Sequence, residues 1–124
     1  MVVKDLTKAE EQIMQSVWEL GAGYTREIFE HMPEPKPKYN TVSTMIRILM
    51  EKEILSFEKK GKAFLYKPAF SKEDYSKFKL TQLKKGYFQN SAAAMFSFFA
   101  RKEKLSETEL DELQRELNKL RDGK

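Results

Sequence analysis

Apolar residues recur at helical spacing from the first residues onward. Ala9, Ile13, Met14, Val17, Trp18 and Leu20 predict a first helix with one buried stripe. It opens at Leu6-Thr7-Lys8-Ala9-Glu10, where Thr7 accepts from the Glu10 amide and Glu10 reaches back to that of Thr7, and it stops at Gly21-Ala22-Gly23. A short second helix, Arg26 to Met32 with Thr25 as its cap, buries Ile28, Phe29 and Met32 and ends at Pro33. Pro33, Pro35 and Pro37 then hold an extended loop. A third helix, Asn40 to Lys52, turns Val42, Met45, Ile46, Leu49 and Met50 inward. Asn40, Thr41, Ser43, Thr44, Arg47 and Glu51 are left on its outer face.

The period then changes. Ile54 to Lys60 and Lys62 to Lys67, joined at Gly61, are rich in β-branched and aromatic residues. The partial alternation of Phe57 and Lys59 against Phe64 and Tyr66 predicts a hairpin with Lys59, Lys60 and Lys62 at its tip, ended by Pro68. Three helices followed by a basic hairpin is the order of a winged helix-turn-helix. The remainder reads as helix throughout. Ser71 caps a helix to about Gly86 carrying Tyr75, Phe78, Leu80 and Leu83. Asn90-Ser91 opens an apolar one, Ala92 to Ala100, with Met95, Phe96, Phe98 and Phe99. Leu105-Ser106-Glu107-Thr108-Glu109 is a second capping box, and Leu110, Leu113, Leu117 and Leu120 follow at spacings of three, four and three. These helices are too narrow to enclose a core alone. The fold expected is mainly α with a small β-hairpin: a winged-helix DNA-binding domain over residues 1–70 and a helical dimerisation domain over 71–124. The exposed apolar seam, with Phe96, Phe99 and Leu105, is expected to be covered by a second copy in a symmetric homodimer.

Composition narrows the function. The 124 residues contain no Cys and one His, which removes disulfide scaffolds, thiolate nucleophiles and cysteine-based zinc sites, and is compatible with a reducing cytoplasm. No metal or cofactor is expected. Met1 to Gln12 lacks the basic start and apolar run of an export signal, and the longest apolar stretch, Ala92 to Ala100, is about half the ~20 residues that span a bilayer. A cytoplasmic protein without membrane insertion is expected. Net charge is only +4, but it is unevenly placed: residues 1–35 carry −4, residues 36–67 carry +5, residues 71–104 carry +5 and residues 105–124 carry −2. The sign flips at the proline loop, and two basic blocks between acidic ends suit a polyanion-binding surface.

Catalysis finds little support. Its triad or metal site would rest on His31 alone, and Glu10, Glu11, Glu27 and Glu30 occupy ordinary helix-surface positions. The candidate chemistry is instead recognition of double-stranded DNA. Weak helix formers cluster on the outer face of the third helix without a packing reason, and their hydroxyl, amide and guanidinium groups suit base edges and phosphates. The candidate contacts are Lys36, Lys38, Tyr39, Asn40, Thr41, Ser43, Thr44 and Arg47, with Lys59, Lys60 and Lys62 on the backbone. A winged helix that binds protein is the rival reading. It has no need of +5 across residues 36–67.

Five stretches in order resemble the BlaI/MecI family of penicillinase repressors: Leu6-Thr7-x-Ala9-Glu10 with Val17-Trp18; Tyr39-Asn40-Thr41-Val42-x-Thr44-Met45; Leu49-x-x-Lys52; Gly61-Lys62-x-x-x-Tyr66-x-Pro68; and Leu105-Ser106-x-x-Glu109-Leu110. The resemblance covers essentially the whole chain. It implies a dimeric winged-helix repressor on a palindromic operator near its own gene, with a place in the response to β-lactams. It also implies release of the DNA after a membrane-embedded sensor metalloprotease leads to cleavage in the dimerisation domain. Carried over by position, Tyr39, Asn40, Thr41, Ser43 and Thr44 lie in the groove and Lys59, Lys60 and Lys62 are the wing cations. The chain departs from the family at three places. Ile48 stands where an Arg is common, Glu53 where a Gly is usual, and Phe98-Phe99 where characterised members have the cleaved Asn-Phe bond. The cysteine-rich tail of copper-responsive relatives is missing.

Overall fold

The computed structural model describes residues 2–123. Its elements follow in the order α1 (Lys8–Leu20), α2 (Thr25–His31), α3 (Tyr39–Glu51), β1 (Leu55–Lys60), β2 (Ala63–Pro68), α4 (Lys72–Tyr87), α5 (Ala92–Lys102) and α6 (Glu107–Arg121). They form two compact units that divide between Phe78 and Lys79, within α4. Its first turns therefore belong to the first unit and its last turns to the second.

In the first unit α1 starts at the expected capping box. The Thr7 hydroxyl accepts from the Glu10 amide at 3.1 Å and Glu10 Oε1 accepts from the Thr7 amide at 2.9 Å. The helix ends at Gly21, whose φ of +80° is left-handed and whose amide donates to Val17 O. Ile13, Met14 and Val17 are buried and Trp18 is partly buried, but Ala9 and Leu20 are exposed. Periodicity marks the inner face without showing where neighbouring elements stop covering it. Helix α2 begins one residue earlier than its sequence suggests. Tyr24, not Thr25, precedes it, and the Glu27 carboxylate accepts from the Tyr24 amide at 2.9 Å.

The hairpin pairs antiparallel with Leu55 opposite Pro68 and Lys60 opposite Ala63, leaving Gly61 and Lys62 as a two-residue turn. Gly61 takes φ +63°, which the first position of such a turn requires. Gly23 adds one further rung, exchanging two backbone hydrogen bonds of 2.9 Å with Tyr66. A side chain at Gly23 would meet Ile28 Cγ1 at 3.1 Å, so this close approach favours glycine. Around the shared core of Ile13, Val17, Ile28, Val42, Ile46 and Leu49, helices α1, α2 and α3 pack on one another and on the hairpin. The core extends into α4 through aromatics. Trp18 Nε1 donates to Phe70 O at 2.9 Å, Tyr75 lies 5.6 Å from the Trp18 ring, and the Tyr75 hydroxyl accepts from the Leu6 amide at 3.1 Å.

The second unit contains the last turns of α4, with α5 and α6. Ser91 and Ser106 cap α5 and α6 through their hydroxyls, and Glu109 completes the box expected at Ser106. Among its described residues only Met95 is buried. Leu80, Leu83, Phe88, Met95, Phe96 and Phe98 instead line an open apolar hollow of about 370 Å³. No helix of the described residues is long and apolar enough to cross a membrane.

Candidate nucleic-acid interface

Helix α3 supplies the most concentrated set of polar groups. Val42, Ile46 and Leu49 fix its inner face, and Asn40, Thr41, Thr44, Arg47 and Glu51 are thereby exposed on the other. Ser43 is half-buried at the margin, and so is Tyr39 in the first position. The helix starts at Tyr39, one residue before the expected Asn40, and its cap is Lys38, with extended backbone and no side-chain hydrogen bond. The first turn holds no acid, so no carboxylate of its own opposes the positive end of the helix. Thr44 differs from expectation. Its hydroxyl donates to Asn40 O at 3.0 Å, which leaves a methyl and an acceptor oxygen to face outward.

The junction of α2 and α3 contains a functional candidate, Arg26, that no sequence motif marks. The Arg26 guanidinium lies 4.2 Å over the Tyr39 ring. That ring meets Phe29 edge-on at 5.3 Å, and the Lys36 ammonium sits 4.2 Å over Phe29. Two cations are thus seated on two aromatic faces that tie α2 to the start of α3. Lys36 is half-buried and donates to Phe29 O at 2.7 Å, closing the end of α2. Arg26 is exposed, with its charge seated on the Tyr39 ring at the start of α3. Thirteen residues of separation conceal this pair from any local pattern.

On the hairpin, Lys59, Lys60 and Lys62 are all exposed, but they are not equivalent. Glu58 shares a face with Lys60 and Lys67 and pairs with them at 2.9 and 3.3 Å. Hydrogen bonds from Lys60 and then Lys67 hold the Glu58 carboxyl below its ordinary value, and the Glu58 carboxylate pushes Lys60 up. Lys59 and Lys62, like Lys38 and Arg47, make no ion pair among the described residues. The alternation of strand residues is the available signal for the Glu58 pairing, since positions 58 and 60 face the same way.

This arrangement has counterparts. The chain matches the penicillinase repressor family over residues 6–119. The chain belongs to the penicillinase repressor family. A penicillinase repressor from Bacillus licheniformis is 25% identical over 114 residues, which span 90% of this chain and 88% of that one. The solution structure of the DNA-binding domain of the repressor BlaI matches with a TM-score of 0.51 at 25% identity, covering 60% of this chain and 92% of that domain. The monomeric form of Bacillus licheniformis BlaI, solved in complex with the blaP half-operator, gives the same TM-score, identity and coverage. The family is one of repressors, not enzymes, and the winged-helix architecture expected from the element order is the one these structures share.

The second unit carries the remaining candidates. Phe96, Phe99, Leu110, Leu113, Leu117 and Leu120 are exposed, from 37% at Leu113 to 77% at Leu120, and Leu105 is half-buried. Phe99, Leu105 and Leu113 line one groove with Glu109, Glu112 and Arg115. Phe98 and Phe99 are exposed but lie inside α5, so the bond between them is helical.

Proposed function

We propose that this chain is a transcriptional repressor that binds a palindromic DNA operator as a homodimer. Helix α3 enters the major groove and the hairpin follows the backbone. The observation that carries this is the uncovered polar face of α3 beside wing lysines that have no ion pair among the described residues, in a fold shared with BlaI, which was solved on a half-operator. Asn40, Thr41, Ser43 and Arg47 read base edges. Lys38, Lys59, Lys60 and Lys62 contact phosphates, and Arg26, held on Tyr39, adds one more. Lys36 serves mainly to fix the loop that leads into α3.

The exposed leucine seam of α6 and the phenylalanines of α5 suit a partner copy, which would bring two α3 helices to the two halves of the operator. Such a repressor acts in the cytoplasm. Release by a membrane-embedded sensor metalloprotease would cut at Phe98-Phe99, and because that bond is helical, α5 must first open locally for it to be cut.

The test is fluorescence anisotropy of the full chain on the DNA upstream of its own gene, with random DNA as competitor, at two salt concentrations. Tight, competitor-resistant binding with a log–log salt slope of about −0.9 for each phosphate neutralised is expected. Arg47→Ala should weaken it by about 1–3 kcal/mol and relax sequence preference. Absence of binding at low salt overturns the reading in favour of a protein-binding winged helix.

A further inference from the structure

We infer that Ile48 is a specificity-determining residue that packs against the 5-methyl group of a thymine in each operator half-site; this rests on the DNA-reading role proposed above. Ile48 is 41% exposed, a large apolar side chain left uncovered in the middle of a face otherwise made of polar groups. Thr41, Thr44 and Ile48 follow one another at three and four residues and form one stripe, with Arg47 beside it. Because the Thr44 hydroxyl proton is held by Asn40 O, its methyl adds to the apolar surface of Ile48 one turn away.

A short apolar strip of this kind is too small to hold a protein partner, and the charged Arg47 and Glu51 border it along one edge. In the major groove it has one natural counterpart. The thymine methyl is the only apolar group among base edges there, whereas cytosine and adenine present amino donors that an isoleucine would leave unpaired. Ile48 would therefore favour thymine in two ways, by covering its methyl and by penalising the donors of cytosine and adenine. Arg47, next in sequence, supplies the hydrogen-bonded contact to the neighbouring base.

The experiment begins with selection of binding sequences from a random library by the full-length chain. In the selected site each thymine of one half-site is then replaced in turn by deoxyuridine, which differs only in lacking the methyl. Binding is measured for the wild type and for Ile48→Ala, with Ile48→Val as a milder variant that keeps a branched contact. One deoxyuridine position should weaken the wild type about fourfold, the worth of one buried methyl group, and should leave Ile48→Ala unaffected. At that position cytosine should bind worse than thymine and 5-methylcytosine should recover part of the loss.

If no position separates the wild type from Ile48→Ala, the assignment of Ile48 is wrong while the DNA-reading role stands. If the library yields no enriched sequence at all, the DNA-reading role itself fails and the assignment goes with it.

Discussion

Glu10 is the one buried carboxylate among the described residues, 6% exposed at the start of α1. Burial alone would raise its pKa, but the hydrogen bond from Lys52 at 2.8 Å, the Thr7 amide and the Lys52 charge outweigh that and lower it. Lys4 in turn donates to Lys52 O, so the N-terminal segment, α1 and the end of α3 meet at this point. Lys52→Met should destabilise the fold by about 1–3 kcal/mol, because it leaves a buried carboxylate without its charged partner. Since Glu10 titrates below its ordinary 4.5, its ionised form stabilises the fold above that pH, and this contribution is lost as pH falls through the folded value. Denaturant titrations of wild type and Glu10→Gln should therefore differ at pH 7 and converge as the pH falls below 4.5 and through the lowered folded value. Glu53 makes a separate argument. Its φ is +63°, in the left-handed region that favours glycine. Relief of roughly 1–2 kcal/mol of strain, offset by about 0.5–1 kcal/mol of extra chain entropy, makes Glu53→Gly stabilising by about 0.5–1 kcal/mol. A lower midpoint of urea denaturation in this variant would contradict the strain argument.

At the scale of the element, the proposed repressor divides its work between α3, which reads, and the hairpin, which holds. The hairpin's charge is tempered from within, because Glu58 occupies Lys60 and Lys67 while Lys59 and Lys62 are unpaired among the described residues. Replacing Lys59 and Lys62 by glutamine should flatten the salt dependence of operator binding by about 0.9 in log–log slope for each phosphate no longer neutralised. Glu58→Gln should act in the opposite sense, releasing two lysines and tightening binding to random DNA as well as to operator. Equal slopes for all three proteins in an anisotropy salt series would place the hairpin away from the backbone. Much of this element structure is legible in sequence, because capping boxes at Thr7 and Ser106, glycines at 21 and 61 and strand alternation are local signals. The start of α2 is not, because Glu27 and the Tyr24 backbone satisfy what Thr25 would be expected to supply. The seat of Arg26 on Tyr39 and the inward turn of Lys36 depend on α2 packing against α3, which no spacing rule contains.

At the scale of the whole molecule, the two units have opposite problems. The first buries its apolar stripes around one core, whereas the second leaves Leu80, Phe96, Phe99, Leu110, Leu117 and Leu120 open to solvent. In the proposed dimer a partner copy covers them. In that dimer the coupling would also set affinity for DNA, since two linked α3 helices would bind adjacent half-sites with a large effective concentration for the second contact. Leu113 is the least exposed leucine of the α6 seam at 37% and lies in the groove with Phe99 and Leu105, so it marks the centre of the surface to be buried. Leu113→Asp places a charge there. The isolated chain tolerates it, because the side chain still reaches water, but a dimer must strip that water at a cost of several kcal/mol. Light scattering should report a monomer at concentrations where the wild type is a dimer, with an unchanged circular dichroism spectrum. Operator binding should fall by about two orders of magnitude or more while binding to an isolated half-site is preserved, which separates loss of pairing from damage to the reading head. A Leu113→Asp protein that still scatters as a dimer would move the dimer seam away from α6 and leave its leucines for a different partner.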